Sequence, residues 1–185
     1  MPAKSLTFEK ASPEELTLIA RAYLEKFGID LKDVFRANKV IVSKNDRMEA
    51  FLVSKDVFKA YEVVKRTREP YFLGLYLGYF KGSSFMPSAE GITCFSDRLP
   101  SRKRVVVSEK AEQLFLYGRD VLKGSIVYIE RNLRRGEYVA IVNERNEVLG
   151  IGKLAVDAEL IDRLDAQEVV IENVFDKGWY LRRGG

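Results

Sequence analysis

Apolar positions along this chain change period several times, and each change marks a new element. Leu16, Ile19, Ala20, Tyr23, Leu24 and Phe27 recur at helical spacing. Ser12 and Glu15 frame Pro13 as a capping box, and Gly28 is placed to close the helix. A strand is then expected over Lys39–Ser43, a turn at Asn45–Asp46 and a returning strand over Glu49–Val53. Ser54 is positioned to cap a second helix that carries Val57, Phe58, Tyr61 and Val64 on one side. Its outer face holds Lys55, Lys59, Lys65 and Arg66, with Arg68 following. Those cations suit a solvated helix face or an auxiliary contact for a nucleic acid or protein.

The stretch from Tyr71 to Gly82 is aromatic and apolar, with Gly74, Gly78 and Gly82 four residues apart. It is far too short for a membrane span, so it reads as a buried strand with bulge or close-packing glycines. Phe85–Phe95 reads as irregular structure or as a further strand and short helix. Asp97–Arg104 is charged, contains Pro100 and lacks apolar periodicity, which suits a linker. Beyond it a strand is expected at Val105–Val107, then a helix capped by Ser108, with Ala111, Leu114 and Phe115 inward and Gly118 at its end. Further strands are expected over Ile126–Arg131, Tyr138–Asn143, Val148–Ala155 and Val169–Val174. Asn143–Asn146 makes the hairpin turn, and Val139, Ile141, Leu149, Ile151 and Leu154 alternate on its arms. The fold class expected is α+β: an N-terminal α/β domain with antiparallel sheet and helices over residues 1–98, and a compact C-terminal barrel or sandwich over 103–183.

Composition narrows the chemistry. The chain of 185 residues contains no His, which removes His-based triads, His metal sites and His acid–base catalysis. Its one cysteine, Cys94, reads as a small apolar core residue, with no base to activate it. Asp46, Asp56, Asp120 and Asp176 show no pairing, and Asp176 reads as a turn residue before Lys177-Gly178. No enzyme activity, metal or cofactor is expected. A formal net charge of +4 permits an anionic partner without requiring one. No apolar run approaches a membrane span and the N-terminus lacks a signal-peptide core, so a cytoplasmic protein is expected. Plentiful Lys, Arg and Glu with scarce Gln resembles thermophile composition.

Candidate chemistry lies between Leu114 and Lys153, where basic residues adjoin nearly every glycine. Arg119 and Lys123 sit between Gly118 and Gly124, Arg131, Arg134 and Arg135 lead into Gly136, and Lys153 follows Gly152. Such loops let backbone approach a phosphate chain while cations meet it. A helix cap, an ordinary turn and a solubilising hairpin tip would use the same residues. Arg182 and Arg183 follow Trp179-Tyr180, where Trp179 suits base stacking or core packing.

The ordered set VVVSEKAEQLFLYGRDVLKGSI, RRGEYVAIVNERNEVLGIGK and VVIENVFDKGWYLRR resembles a PUA domain, a small RNA-binding pseudo-β-barrel. KNDRMEAFLVSKDVFKAYE, LGLYLGYFKGSSF and EQLFLYG are similar to the Nip-seven ribosome-biogenesis factors, which place a pre-PUA domain before the PUA domain. The resemblance covers nearly the whole chain and points to an archaeal member. It implies a non-enzymatic factor that binds pre-ribosomal RNA during large-subunit maturation, with RNA on the PUA domain and protein partners of ribosome assembly or RNA processing on the N-terminal one. A monomer is expected. The RNA-binding candidates are Arg119, Lys123, Arg131, Arg134, Arg135, Lys153, Arg163 and Arg182. One departure stands out: where the family can carry several cations after the Gly-x-Gly strand, Asp157–Asp165 is mostly acidic, with Arg163 its only base. The rival readings are a protein-interaction adaptor, in ribosome assembly or RNA degradation machinery, that keeps the PUA fold as scaffold, and a PUA appendage to an RNA-modifying enzyme.

Overall fold

The computed structural model describes residues 8–44, 47–65, 73–179 and 182. The expected turn at Asn45–Asp46 and the cations Arg66, Arg68 and Arg183 lie outside them. Residues 1–25 with 30–91 form one compact unit, and 26–29 with 92–185 form the other.

In the first unit, β1 (Phe8–Lys10), β2 (Asn38–Lys44), β3 (Met48–Ser54), β4 (Leu75–Lys81) and β5 (Ser84–Pro87) make an antiparallel meander in sequence order. Helix α1 (Pro13–Phe27) starts at the expected capping box: Glu15 Oε2 accepts from Ser12 N at 2.7 Å, and Ser12 Oγ accepts from Glu15 N at 3.2 Å. It buries Ile19 and Tyr23, whereas Leu24 turns outward, and its last two residues, Lys26 and Phe27, belong to the second unit. The Tyr23 hydroxyl donates to the Leu77 carbonyl at 2.8 Å, so the polar tip of a fully buried ring is satisfied. A short α2 (Lys32–Ala37) precedes β2. Helix α3 (Lys55–Val64) is capped by Ser54 Oγ, which accepts from Val57 N. Phe58 and Tyr61 pack on Phe8, Ile41 and Phe51. Val57 and Val64 do not join them, because only the Phe58–Tyr61 edge of this helix meets the sheet. Gly78, at φ +138°, borders a register shift between β3 and β4, and any Cβ there would strike the Met86 carbonyl, which is the close-packing role its spacing suggested.

α4 (Ala89–Cys94) and two 3-10 turns, Ser96–Arg98 and Ser101–Lys103, lead to the second sheet. The supposed linker is packed structure: Leu99 and Lys103 are each 3% exposed, and the Arg104 guanidinium binds the Ser96 and Leu99 carbonyls. Cys94 is exposed at the end of α4 rather than in the core.

The second sheet comprises β6 (Arg104–Val107), β7 (Val121–Leu122), β8 (Ile126–Tyr128), β9 (Tyr138–Val142), β10 (Val148–Leu154) and β11 (Val169–Asp176), in the order β7-β11-β10-β9-β6-β8. All pairs are antiparallel except β6 with β9, and the sheet curls into a nearly closed barrel. Its core gathers Val105, Val107, Phe115, Val139, Ile141, Leu154 and Ile171. Alternation was expected on β9 and β10, but Val139 through Val142 are all buried, as are Val148 through Gly152. Both faces of these central strands are covered, one by the barrel interior and one partly by Phe27, whose ring lies 6.4 Å from that of Tyr138. Helix α5 (Glu109–Leu116) buries Ala111 and Phe115, but Leu114 points outward. The Asn143–Asn146 turn forms as expected, with Asn146 at φ +64°.

Candidate functional site

The loop after α5 is fastened by its backbone and not by its cation. Gly118 adopts φ +84°, the left-handed turn that ends the helix. Asp120 Oδ1 then accepts from Asn173 N at 2.7 Å, and Asn173 Nδ2 donates to the Phe115 carbonyl at 2.9 Å and the Arg119 carbonyl at 3.3 Å. With β11 holding the main chain, the Arg119 side chain is exposed and, among the described residues, makes no hydrogen bond or ion pair.

A second group of cations already has partners within the fold. The acidic stretch after β10 folds as a 3-10 segment, Ala158–Arg163, directly against the arginine loop. Arg134 pairs with Glu159 at 2.6 Å and Arg131 with Asp162 at 3.0 Å. The Lys123 ammonium donates to the Leu164 carbonyl and, at 3.4 Å, to that of Asp162. The Glu159 hydrogen bond and charge raise the Arg134 pKa above its ordinary value. Both ion pairs lie more than half exposed, so each contributes little to stability and is open to exchange.

Among the described residues, the side chains of Arg135, Lys153 and Arg163 have no hydrogen-bond or ion-pair partner. Arg135 uses only its backbone N–H, donated to Asp157 Oδ1 at 2.7 Å. Lys153 stands opposite Tyr138 on β9 and Glu172 on β11, with its side chain alongside Gly136. The Lys26 ammonium lies 4.5 Å from the Tyr138 ring centre and adds a further cation to that flank. Arg163 is exposed at the end of the 3-10 segment.

Arg182 is built into the fold. It grips Asp176 with two bonds of 2.8 and 2.9 Å and also reaches the Leu116 carbonyl. The Asp176 hydrogen bond raises the Arg182 pKa above its ordinary value. Asp176, 3% exposed and the last residue of β11, is thus a buried ion-pair partner and not a turn residue. Trp179 packs its ring 5.9 Å from that of Phe175 yet stays 37% exposed, between the two roles its position allowed.

Sequence reasoning overlooked one ionic centre. Lys103 is buried, and its ammonium donates to Glu137 Oε2 at 2.6 Å and the Tyr138 carbonyl at 3.3 Å. Glu137 Oε1 accepts from Arg134 N at 3.1 Å, so this carboxylate also anchors the arginine loop. The apolar Val105-Val-Val107 that follows was the only hint that Lys103 enters a core.

Among the described residues no group of three or more His, Cys, Asp or Glu is placed to hold a metal. No described helix is long and apolar enough to cross a membrane. Partial burial and the Asp97 charge push the Cys94 thiol pKa up, which disfavours a reactive thiolate.

Comparison with known proteins places both halves. Residues 8–89 match the NIP7/UPF0113 pre-PUA domain, and residues 103–185 match the UPF0113 PUA domain. An UPF0113 protein of Archaeoglobus fulgidus is 34% identical over 179 residues, 96% of this chain and 95% of that protein. A 60S ribosome subunit biogenesis protein NIP7 homolog of Xenopus laevis is 32% identical over 82 residues, 44% of this chain and 46% of that protein. Among solved structures, a conserved PUA domain protein from Thermoplasma acidophilum shares the fold at a TM-score of 0.67 and 18% identity, covering 96% of this chain and 99% of that one.

Proposed function

The chain belongs to the NIP7/UPF0113 family, and on that footing we propose that it is a non-catalytic RNA-binding factor of ribosome biogenesis. Its target in this reading is pre-ribosomal RNA. The PUA domain over 103–183 holds the RNA, and the N-terminal domain over 1–98 meets assembly or processing proteins. A cytoplasmic monomer without cofactor fits the role. The observation that carries the reading is the division among the cations. Among the described residues Arg119, Arg135, Lys153 and Arg163 have no side-chain partner and can meet phosphate, whereas Lys123, Arg131, Arg134 and Arg182 already have partners.

That division sets the expected salt response. Four phosphate contacts on a single strand give a slope of log affinity against log salt of about −2.8, at about −0.7 per contact. Binding of single-stranded pre-ribosomal RNA fragments across a salt series tests it. A flat response, or no binding at low salt, overturns the RNA role and leaves the adaptor role.

The acidic 3-10 segment makes a second expectation. Glu159→Gln with Asp162→Asn frees Arg134 and Arg131 for phosphate. The slope is expected to steepen toward about −4.2, the value for six contacts, and low-salt affinity to rise. An unchanged slope would mean that the arginine loop lies away from the RNA path.

A further inference from the structure

Charges, proline and brevity are the usual means by which an edge strand avoids pairing with another chain. Three of the sheet edges use them: β1 carries Glu9 and Lys10, β5 ends in Pro87, and β7 is only two residues long. β8, at the remaining edge, has neither charge nor proline in Ile126–Tyr128. Among the described residues it pairs with β6 alone, so its other side is open. Val127 and Tyr128 are 56% and 47% exposed.

A groove of about 450 Å3 is lined by every residue from Ile126 to Arg131 in turn. Side chains of a strand alternate between its two faces, so a cavity that touches successive residues lies against the edge. The far wall is the 3-10 segment, through Ile161 and Asp162. Chain on either side of β8 is tied to that wall, Lys123 to the Leu164 carbonyl and Arg131 to the Asp162 carboxylate at 3.0 Å. The lining charges cancel, Lys123 and Arg131 against Glu130 and Asp162. Glu130 also accepts from the Tyr128 hydroxyl at 2.6 Å. A phosphate chain, or a strongly charged peptide, therefore gains no net attraction here. What the groove leaves without a partner is main chain along the open edge, and only another extended backbone matches its repeat.

We propose that this edge receives an extended, uncharged segment of a partner protein, which adds as a further strand beside β8 and lies in the groove against the 3-10 segment. Main-chain hydrogen bonds hold the segment, and Val127 and Tyr128 select apolar side chains on its two faces. The 3-10 wall admits a slender segment, whereas a second copy of this chain brings a wall of its own against it. The site puts a protein partner on the domain over 103–183, in addition to any that meets the N-terminal one. It does not depend on RNA binding.

The full-length chain would be screened against a displayed library of random peptides of about six residues, the usual strand length, and the selected peptides synthesised. Uncharged sequences rich in Val, Ile, Thr and Tyr are expected, with affinity unchanged between about 50 and 500 mM salt. Amide exchange over Ile126–Ile129 is expected to slow when they bind. Val127→Lys is expected to weaken them about tenfold, since a charge on the edge opposes pairing. N-methylation of alternate peptide residues leaves the protein untouched. In the frame whose N–H groups face β8 it is expected to cost about tenfold, and in the other frame nothing. If no peptide is selected, if Val127→Lys binds as the parent does, or if the two frames behave alike, strand addition is refuted. If the parent dimerises and Val127→Lys does not, the occupant is a second copy and the partner segment is refuted. If a pre-ribosomal RNA fragment slows exchange over Ile126–Ile129, nucleic acid takes the groove and the proposal falls.

Discussion

Glu137→Gln is expected to destabilise the protein by about 2 to 4 kcal/mol, seen as a fall in Tm of roughly 5 to 15 °C at neutral pH. The cause is the partner left behind. The Lys103 side chain is 4% exposed, and without the Glu137 carboxylate its ammonium keeps only neutral oxygens, the Tyr138 carbonyl at 3.3 Å among them. Removing one member of a buried pair commonly costs about 3 to 5 kcal/mol. The lower end of that range, or somewhat less, applies, because 34% of the Glu137 side chain is open to water. The double variant Lys103→Met with Glu137→Gln removes charge and partner together and is expected to recover most of the loss. The effect also has a pH signature. Burial pushes the Glu137 carboxyl up, but the Lys103 hydrogen bond, the Arg134 N–H and the charges of Lys103 and Arg102 outweigh it and hold the pKa below its ordinary value. A carboxylate whose folded pKa is depressed stabilises fully above its unfolded pKa, and that contribution fades as pH falls through the folded one. The gap between parent and Glu137→Gln is therefore expected to be widest at neutral pH and to close below the ordinary carboxylate range. A gap independent of pH would show that the side chain acts by packing and not by charge.

Local signals in the sequence were legible wherever neighbouring residues decide the outcome. The Ser12–Glu15 box, the Ser54 cap, the left-handed Gly118 and the Asn143–Asn146 turn all form as expected, because each is settled within four residues. Tertiary packing decided the rest. Leu24, Val57 and Leu114 fit the helical stripes yet face outward, since each helix touches its sheet over a narrower arc than its apolar pattern suggests. The two-sided burial of β9 and β10 depends on which segments cover the barrel, and strand periodicity does not carry that information. The same limit governed the site. Glycine-and-cation spacing located the basic loops, but not which guanidinium was already held. Arg134 with Glu159 spans 25 residues and Lys123 with Leu164 spans 41. The acidic stretch at Asp157–Asp165, a departure from the family pattern when read alone, is in the fold the counter-charge of the arginine loop.

Reversing the unpaired cations is expected to have the larger effect on RNA. With Arg119, Arg135, Lys153 and Arg163 all changed to Glu, the slope of about −2.8 should collapse toward zero. The parent is expected to lose about 50-fold in affinity between 50 and 200 mM salt, while the variant binds too weakly to show a trend. Among the described residues these side chains take part in no hydrogen bond or ion pair, so the variant should melt close to the parent, and lost binding then reports on the interface alone. Neutralising the partnered arginines gives the contrast. Arg131→Gln with Arg134→Gln should leave the slope near its parental value, because those guanidinium groups already face Asp162 and Glu159. The opposite ranking, with the partnered pair dominant, would mean that RNA displaces the acids and that the 3-10 segment is exchanged for phosphate on binding. Equal and small effects from both variants would move the RNA surface off the PUA domain altogether. Each outcome assigns the interface to a different set of side chains, so one salt series on three proteins separates them.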